Sequence, residues 1–187
     1  MVSDMVVAIG DSITAGQGLH PASAWPYQIK RHRIRAIGVP GDTTRLGLER
    51  FPAEVQSVLP KAVIIQFGHN DCNRWETDRG LPRVSTAAFA SNLVEMVMRC
   101  RTFDAFPFLC SLTPSKRSDD HVVDSLYYDG LVRMVAMETN TPLIDVREDF
   151  GDDEGLLLDD GLHLSIDGQL RYAATVQRVL DEHFSMS

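Results

Sequence analysis

The feature that most constrains this chain is a set of short, mostly continuous apolar runs, the second weakened by Arg33 and Arg35, and most of them closed by glycine or small polar residues. They are residues 5–9 (MVVAI), 33–39 (RIRAIGV), 62–68 (AVIIQFG), 106–112 (FPFLCSL) and 142–146 (PLIDV). Runs that are continuous rather than alternating belong to strands covered on both faces. Helical spacing fills the gaps: residues 24–31, 43–58 in two pieces interrupted near Pro52, 86–100, 120–138 and 166–183. Ser85 and Ser165 stand where N-caps belong, and Phe89, Leu93, Met96 and Val97 fall on one helical face. Strand and helix in alternation predict an α/β fold, a three-layer α/β/α sandwich around an about five-stranded, mainly parallel sheet. No repeat or linker interrupts residues 1–187, so one domain is expected.

Composition narrows the function more than the fold. Acids outnumber bases, 26 to 18, for a formal charge of −8, which disfavours nucleic acid or an anionic membrane as partner. No apolar run approaches the roughly 20 residues of a membrane span. The first residues, MVSDMVVAIGDS, lack a basic region and a cleavage site, so a cytoplasmic location is expected. Cys72, Cys100 and Cys110 lack CxxC spacing, which argues against zinc and against a disulfide framework.

In parallel sheets, ligands sit beyond the C-terminal ends of the strands. The segments there read GDSITAGQG, GVPGDTT and GHNDCN, and a fourth, DDGLHLS, precedes the last helix. Ser12 in the first is a turn residue or a nucleophile raised at a strand end. A serine hydroxyl attacks only with help, usually an imidazole oriented by a carboxylate. His163, with Asp160 three residues before it, supplies both groups, although a D-x-x-H alone is equally a polar loop near a helix start. Acyl transfer also needs donors for the developing oxyanion. Gly41 offers a backbone N–H and Asn70 a side-chain amide, though each is also an ordinary turn former.

Taken together, Gly10-Asp11-Ser12, Gly41, Gly68-His69-Asn70-Asp71 and Asp160-x-x-His163 resemble the SGNH hydrolase superfamily, the GDSL lipases and esterases. The resemblance implies a flavodoxin-like sheet, Ser12 as nucleophile, His163 as general base and Asp160 as its orienting carboxylate. It implies an oxyanion hole from the N–H groups of Ser12 and Gly41 and the amide of Asn70, with no cofactor and no metal. Asp11 and Asp71 fall within the motifs and are read as loop-shaping, with Asp11 also a candidate substrate contact. Two departures stand out. Ile13 replaces the usual Leu, and Gly38 stands where the family often has Asn, so the second loop is expected to be braced differently. A G-x-S-x-G elbow, a G-K-[ST] phosphate loop and a G-x-G-x-x-G fingerprint are all absent.

The substrate is expected to be a small acyl ester with a short acyl chain, possibly an O-acetylated carbohydrate. His69 either touches it or is a structural or solvent-facing residue. Trp75, with Arg74, Arg79 and Arg83, either binds a sugar ring or an anionic group or packs over the core edge. An acyltransferase with the same acyl-enzyme, a thioesterase or lysophospholipase, and a non-catalytic binding domain are the competing readings. Retention of Ser12, Asp160 and His163 weighs against the last.

Overall fold

The computed structural model describes residues 3–185. Among them, β1 (Ser3–Gly10), β2 (Arg33–Gly38), β3 (Pro60–Gln66), β4 (Phe106–Cys110) and β5 (Leu143–Ile144) form one parallel sheet in the order β2-β1-β3-β4-β5. The helices are α1 (Ser12–Ala15), α2 (Trp25–Gln28), α3 (Thr44–Glu54), α4 (Thr86–Thr102), α5 (Asp119–Glu138), α6 (Val146–Phe150) and α7 (Ile166–Ser185).

The unbroken apolar strands have the physical cause expected of them. Val7, Ile9, Val63 and Ile65 pack with Phe51 of α3, Phe89 and Met96 of α4 and Val132 of α5 on one face. Val6, Ala8, Ala62 and Ile64 pack with Trp25 of α2, Val146 of α6 and Tyr172 and Val176 of α7 on the other. Side chains alternate across the pleat, so a sheet covered on both sides needs apolar residues at every position. The result is the α/β/α sandwich.

Strand register sets the site. Gly10 pairs with Gly38 of β2 and with Gln66 of β3, so the three strand-end loops start at one level. The chain leaves β1 to one side for β2 and to the other for β3, and such a reversal opens a crevice between the loops.

Three boundaries differ from expectation. The helix expected near 24–31 is only Trp25–Gln28, because Ile29 turns back to extended backbone. Pro52 does not divide α3, which runs to Glu54 and passes into a 3-10 turn at Gln56–Val58. Pro52 lies on the exposed side, where water can satisfy the carbonyl that loses its N–H partner. The last strand keeps only Leu143–Ile144, because Asp145 caps α6 through the Glu148 N–H. The short α1 and α6 carry too few residues to show a helical period.

Candidate active site

Each strand end contributes one piece. After β1, the Asp11 carboxylate accepts the Ile13 N–H at 2.9 Å and caps α1. This leaves the Ser12 N–H without an intrahelical partner, as first-turn N–H groups are. Ile13, in place of Leu, is buried against Trp25 and Ile29. After β2, Val39–Asp42 forms a turn closed by Asp42 N–H to Val39 C=O at 3.1 Å. Gly41 has φ +84°, a value that favours glycine at the third position of a turn with Pro40 before it. Gly38, at the departure from the family pattern, has no room for a side chain. A Cβ there would lie 2.4 Å from the Ala15 nitrogen.

The segment before α7 brings His163, the candidate base. His163 Nε2 lies 2.9 Å from Ser12 Oγ, across 151 residues of sequence. His163 Nδ1 lies 2.5 Å from Asp160 Oδ2, and Asp160 Oδ1 accepts the N–H groups of Leu162 and His163 at 3.0 and 2.9 Å. Partial burial pushes the Asp160 carboxyl up, but these donors outweigh it and hold it at about 2. Asp160 is therefore ionised at neutral pH, as a carboxylate that fixes the ring and stabilises its cation must be.

After β3, the Asn70 Nδ2 group is buried with no protein partner. A buried donor left unpaired is costly in a finished structure but suits a donor that waits for an oxyanion. Beneath it, Asp71 Oδ1 accepts the Thr44 N–H at 2.9 Å and its hydroxyl at 2.6 Å, and Asn92 Nδ2 donates to that hydroxyl at 2.9 Å. Asp71 thus joins the third loop to the start of α3. Burial pushes its carboxyl up to about 6 and that of Asp11 to about 7.

Asp11, Asp71 and His69 are all buried. Asp11 is 0 % exposed and serves the turn, so the expectation that it contacts substrate is corrected: its carboxylate has no opening to solvent. His69 is not solvent-facing either. Its Nε2 lies 3.1 Å from Thr113 Oγ1, and its ring stacks on His121 at 5.5 Å. His121 Nε2 in turn donates to the His69 carbonyl at 3.3 Å. Burial, with His121 and Arg147 nearby, pulls the His69 ring well below its ordinary value, so it stays neutral. Trp75 is half exposed, with the Arg83 guanidinium 4.5 Å from its ring centroid. Arg74 is committed to Asp124 through two bonds of 2.6 and 2.9 Å.

Sequence reasoning passed over Arg50. Its Nη2 donates to the Gly10 carbonyl at 3.0 Å and its Nε to Asp42 at 2.7 Å, tying the end of the Ser12 strand to the Gly41 turn. The available signal was helical phase: Arg50 follows buried Gly47 by three residues, so it faces inward. Asn92 carries the same signal, standing three after buried Phe89 on α4.

The GDSL-like Lipase/Acylhydrolase family matches residues 8–171. The chain belongs to that family. The "Esterase TesA" of Pseudomonas aeruginosa is 25% identical over 180 residues, spanning 91% of this chain and 85% of the relative. The lipase/acylhydrolase structure from Enterococcus faecalis superposes with a TM-score of 0.81 at 25% identity, covering 97% of each chain. A lipolytic G-D-S-L protein structure from Desulfitobacterium hafniense gives 0.83 at 23% identity, covering 95% of this chain and 99% of the other. Among the described residues, no helix of this GDSL protein is long and apolar enough to cross a membrane.

Proposed function

We propose that this GDSL-type ester hydrolase works through an acyl-enzyme on Ser12. The observation that carries the reading is the continuous line Ser12 Oγ, His163 Nε2, His163 Nδ1 and Asp160 Oδ2, at 2.9 and 2.5 Å. Ser12 Oγ attacks the acyl carbonyl while His163 Nε2 takes its proton. The oxyanion is met by the N–H groups of Ser12 and Gly41 and by the Asn70 amide. The tetrahedral intermediate collapses, and the leaving alcohol takes the proton from His163. Water then attacks the acyl group, giving its proton to His163, and the acid departs as Ser12 recovers its hydrogen.

The substrate we favour is a short acyl group on a polar alcohol such as a sugar. Its support is the composition of the groove beside the Gly41 turn, where Thr43, Arg45, Asp78 and Arg83 stand among the apolar side chains. The test is hydrolysis of p-nitrophenyl esters from acetate to decanoate, wild type beside Ser12→Ala. Turnover of acetate and butyrate that falls roughly 10⁴-fold or more in the folded variant is expected. Equal rates in the two proteins would sink the mechanism, and a preference for decanoate would sink the short-acyl reading.

A further inference from the structure

The acyl-transfer steps leave the groove beside the Gly41 turn unused. It has a volume of about 430 Å³, inside the range of small-molecule sites, roughly 300–1,000 Å³. One wall is the start of α3, with Thr43 and Arg45, and the other is the segment after Asn70, with Trp75, Asp78 and Arg83. That second wall is a built structure. Arg74 and Pro82 form an antiparallel bridge, the Arg83 N–H donates to Asn73 C=O at 3.0 Å, and Arg74 anchors the segment to Asp124 of α5. Arg83 Nη1 also donates to the Gly41 carbonyl at 2.8 Å, so the groove opens beside the proposed oxyanion hole.

The charges in this groove are not balanced. Arg74 and Arg50 nearby are paired with carboxylates. Arg45 has no hydrogen bond or ion pair among the described residues, and Arg83 has only the Gly41 carbonyl and the Trp75 ring. Two guanidiniums face one carboxylate, Asp78, in a chain whose net charge is −8. A half-exposed indole offers a flat apolar surface, a carboxylate accepts from hydroxyls, and guanidiniums donate in pairs to a carboxylate or phosphate.

We propose that this groove holds the alcohol part of the substrate, and that this part is a sugar carrying an anionic group, carboxylate or phosphate. Arg45 and Arg83 take the anion, Asp78 takes sugar hydroxyls, and Trp75 lies against the ring. The proposal rests on the serine-esterase reading for its place in a reaction, but its binding claim can be tested without turnover.

The experiment uses folded Ser12→Ala protein titrated with glucuronic acid, glucose 6-phosphate and glucose. Trp75 fluorescence is the local probe, since the other tryptophan, Trp25, is fully buried. At least one anionic sugar is expected to bind about tenfold tighter than glucose, the worth of one charge-assisted contact. The two anionic arms separate carboxylate from phosphate. Introducing Arg45→Gln, at an exposed side chain with no partner among the described residues, should reduce the anionic preference several-fold, while Asp78→Asn should raise it. Equal affinity for all three sugars, no binding of any, or a preference indifferent to both substitutions would overturn the proposal. If the preference holds but Ser12→Ala hydrolyses acetyl esters like wild type, the groove stands and the acyl-enzyme reading fails.

Discussion

The two sides of the Gly41 turn are built on different principles. Toward Ser12, ionisable groups are buried or half-buried and tied to backbone: Asp11 to Ile13, Asp71 to Thr44, Arg50 to Gly10. Toward the rim, Arg45, Trp75 and Asp78 are exposed, and Arg45 has no protein partner among the described residues. Reaction requires fixed geometry, because sub-ångström displacement weakens an oxyanion contact. Recognition can use groups that solvent holds in reserve. The difference predicts that substitutions on the inner side strike turnover or stability, whereas rim substitutions strike affinity.

The sharpest way to break this contrast is Asn70→Ala. Loss of one oxyanion donor should lower kcat roughly 10²–10³-fold with little change in KM. A change confined to KM would place Asn70 on the recognition side. Next comes Arg50→Met, which cuts the link between the Gly10 carbonyl and Asp42. The expected result is a fall of about tenfold in kcat and in the rate of fluorophosphonate labelling of Ser12, with KM nearly constant. If labelling keeps its wild-type rate in a protein of lower melting temperature, Arg50 serves stability alone.

Asp11 gives a prediction in pH. Burial raises its carboxyl from the ordinary 3.8 to about 7. Between those values the folded state keeps a proton that the unfolded chain has lost, so this group's contribution to stability falls as pH rises. Asp11→Asn retains an oxygen for the Ile13 N–H and removes the titration. Its unfolding free energy, followed through the melting temperature, should therefore gain on wild type from pH 5 to pH 8 by an amount on the order of a few kcal/mol. Asp71, raised to about 6, has the same sign but is common to both proteins. Parallel melting curves across that range would show that Asp11 ionises freely. The smallest effect is expected at Trp75→Ala. KM for a sugar ester should rise by roughly two- to tenfold, with kcat for a small aryl ester altered much less. An equal loss for both esters would move Trp75 to the reacting side.

Much of this was legible in residue order because the causes are local. A strand buried on both faces is apolar along its length, and residues 62–65 show that directly. Ser12 and Asn70 stand just beyond strand ends and His163 just before the last helix, where ligands of a parallel sheet are expected. What escaped was set by partners far along the chain. Pro52 reads as a helix breaker, yet its exposure lets α3 continue past it. His69 reads from sequence as a substrate contact, a structural residue or a solvent-facing one, and only the packing of Thr113 and His121 around it shows that it is buried. Arg50 reads as one more helix-surface charge until Gly10 and Asp42 are found at its tip.

Sequence alone therefore determined the parallel α/β layering and singled out the candidate reacting groups, because apolar continuity and turn chemistry are written in neighbouring residues. Tertiary structure decided which groups meet. It brought His163 within 2.9 Å of Ser12 across 151 residues, buried Asp11 and His69, and left Arg45 at the rim without a partner among the described residues. Strand register and packing fix those distances, and both are properties of the whole fold rather than of any stretch of chain.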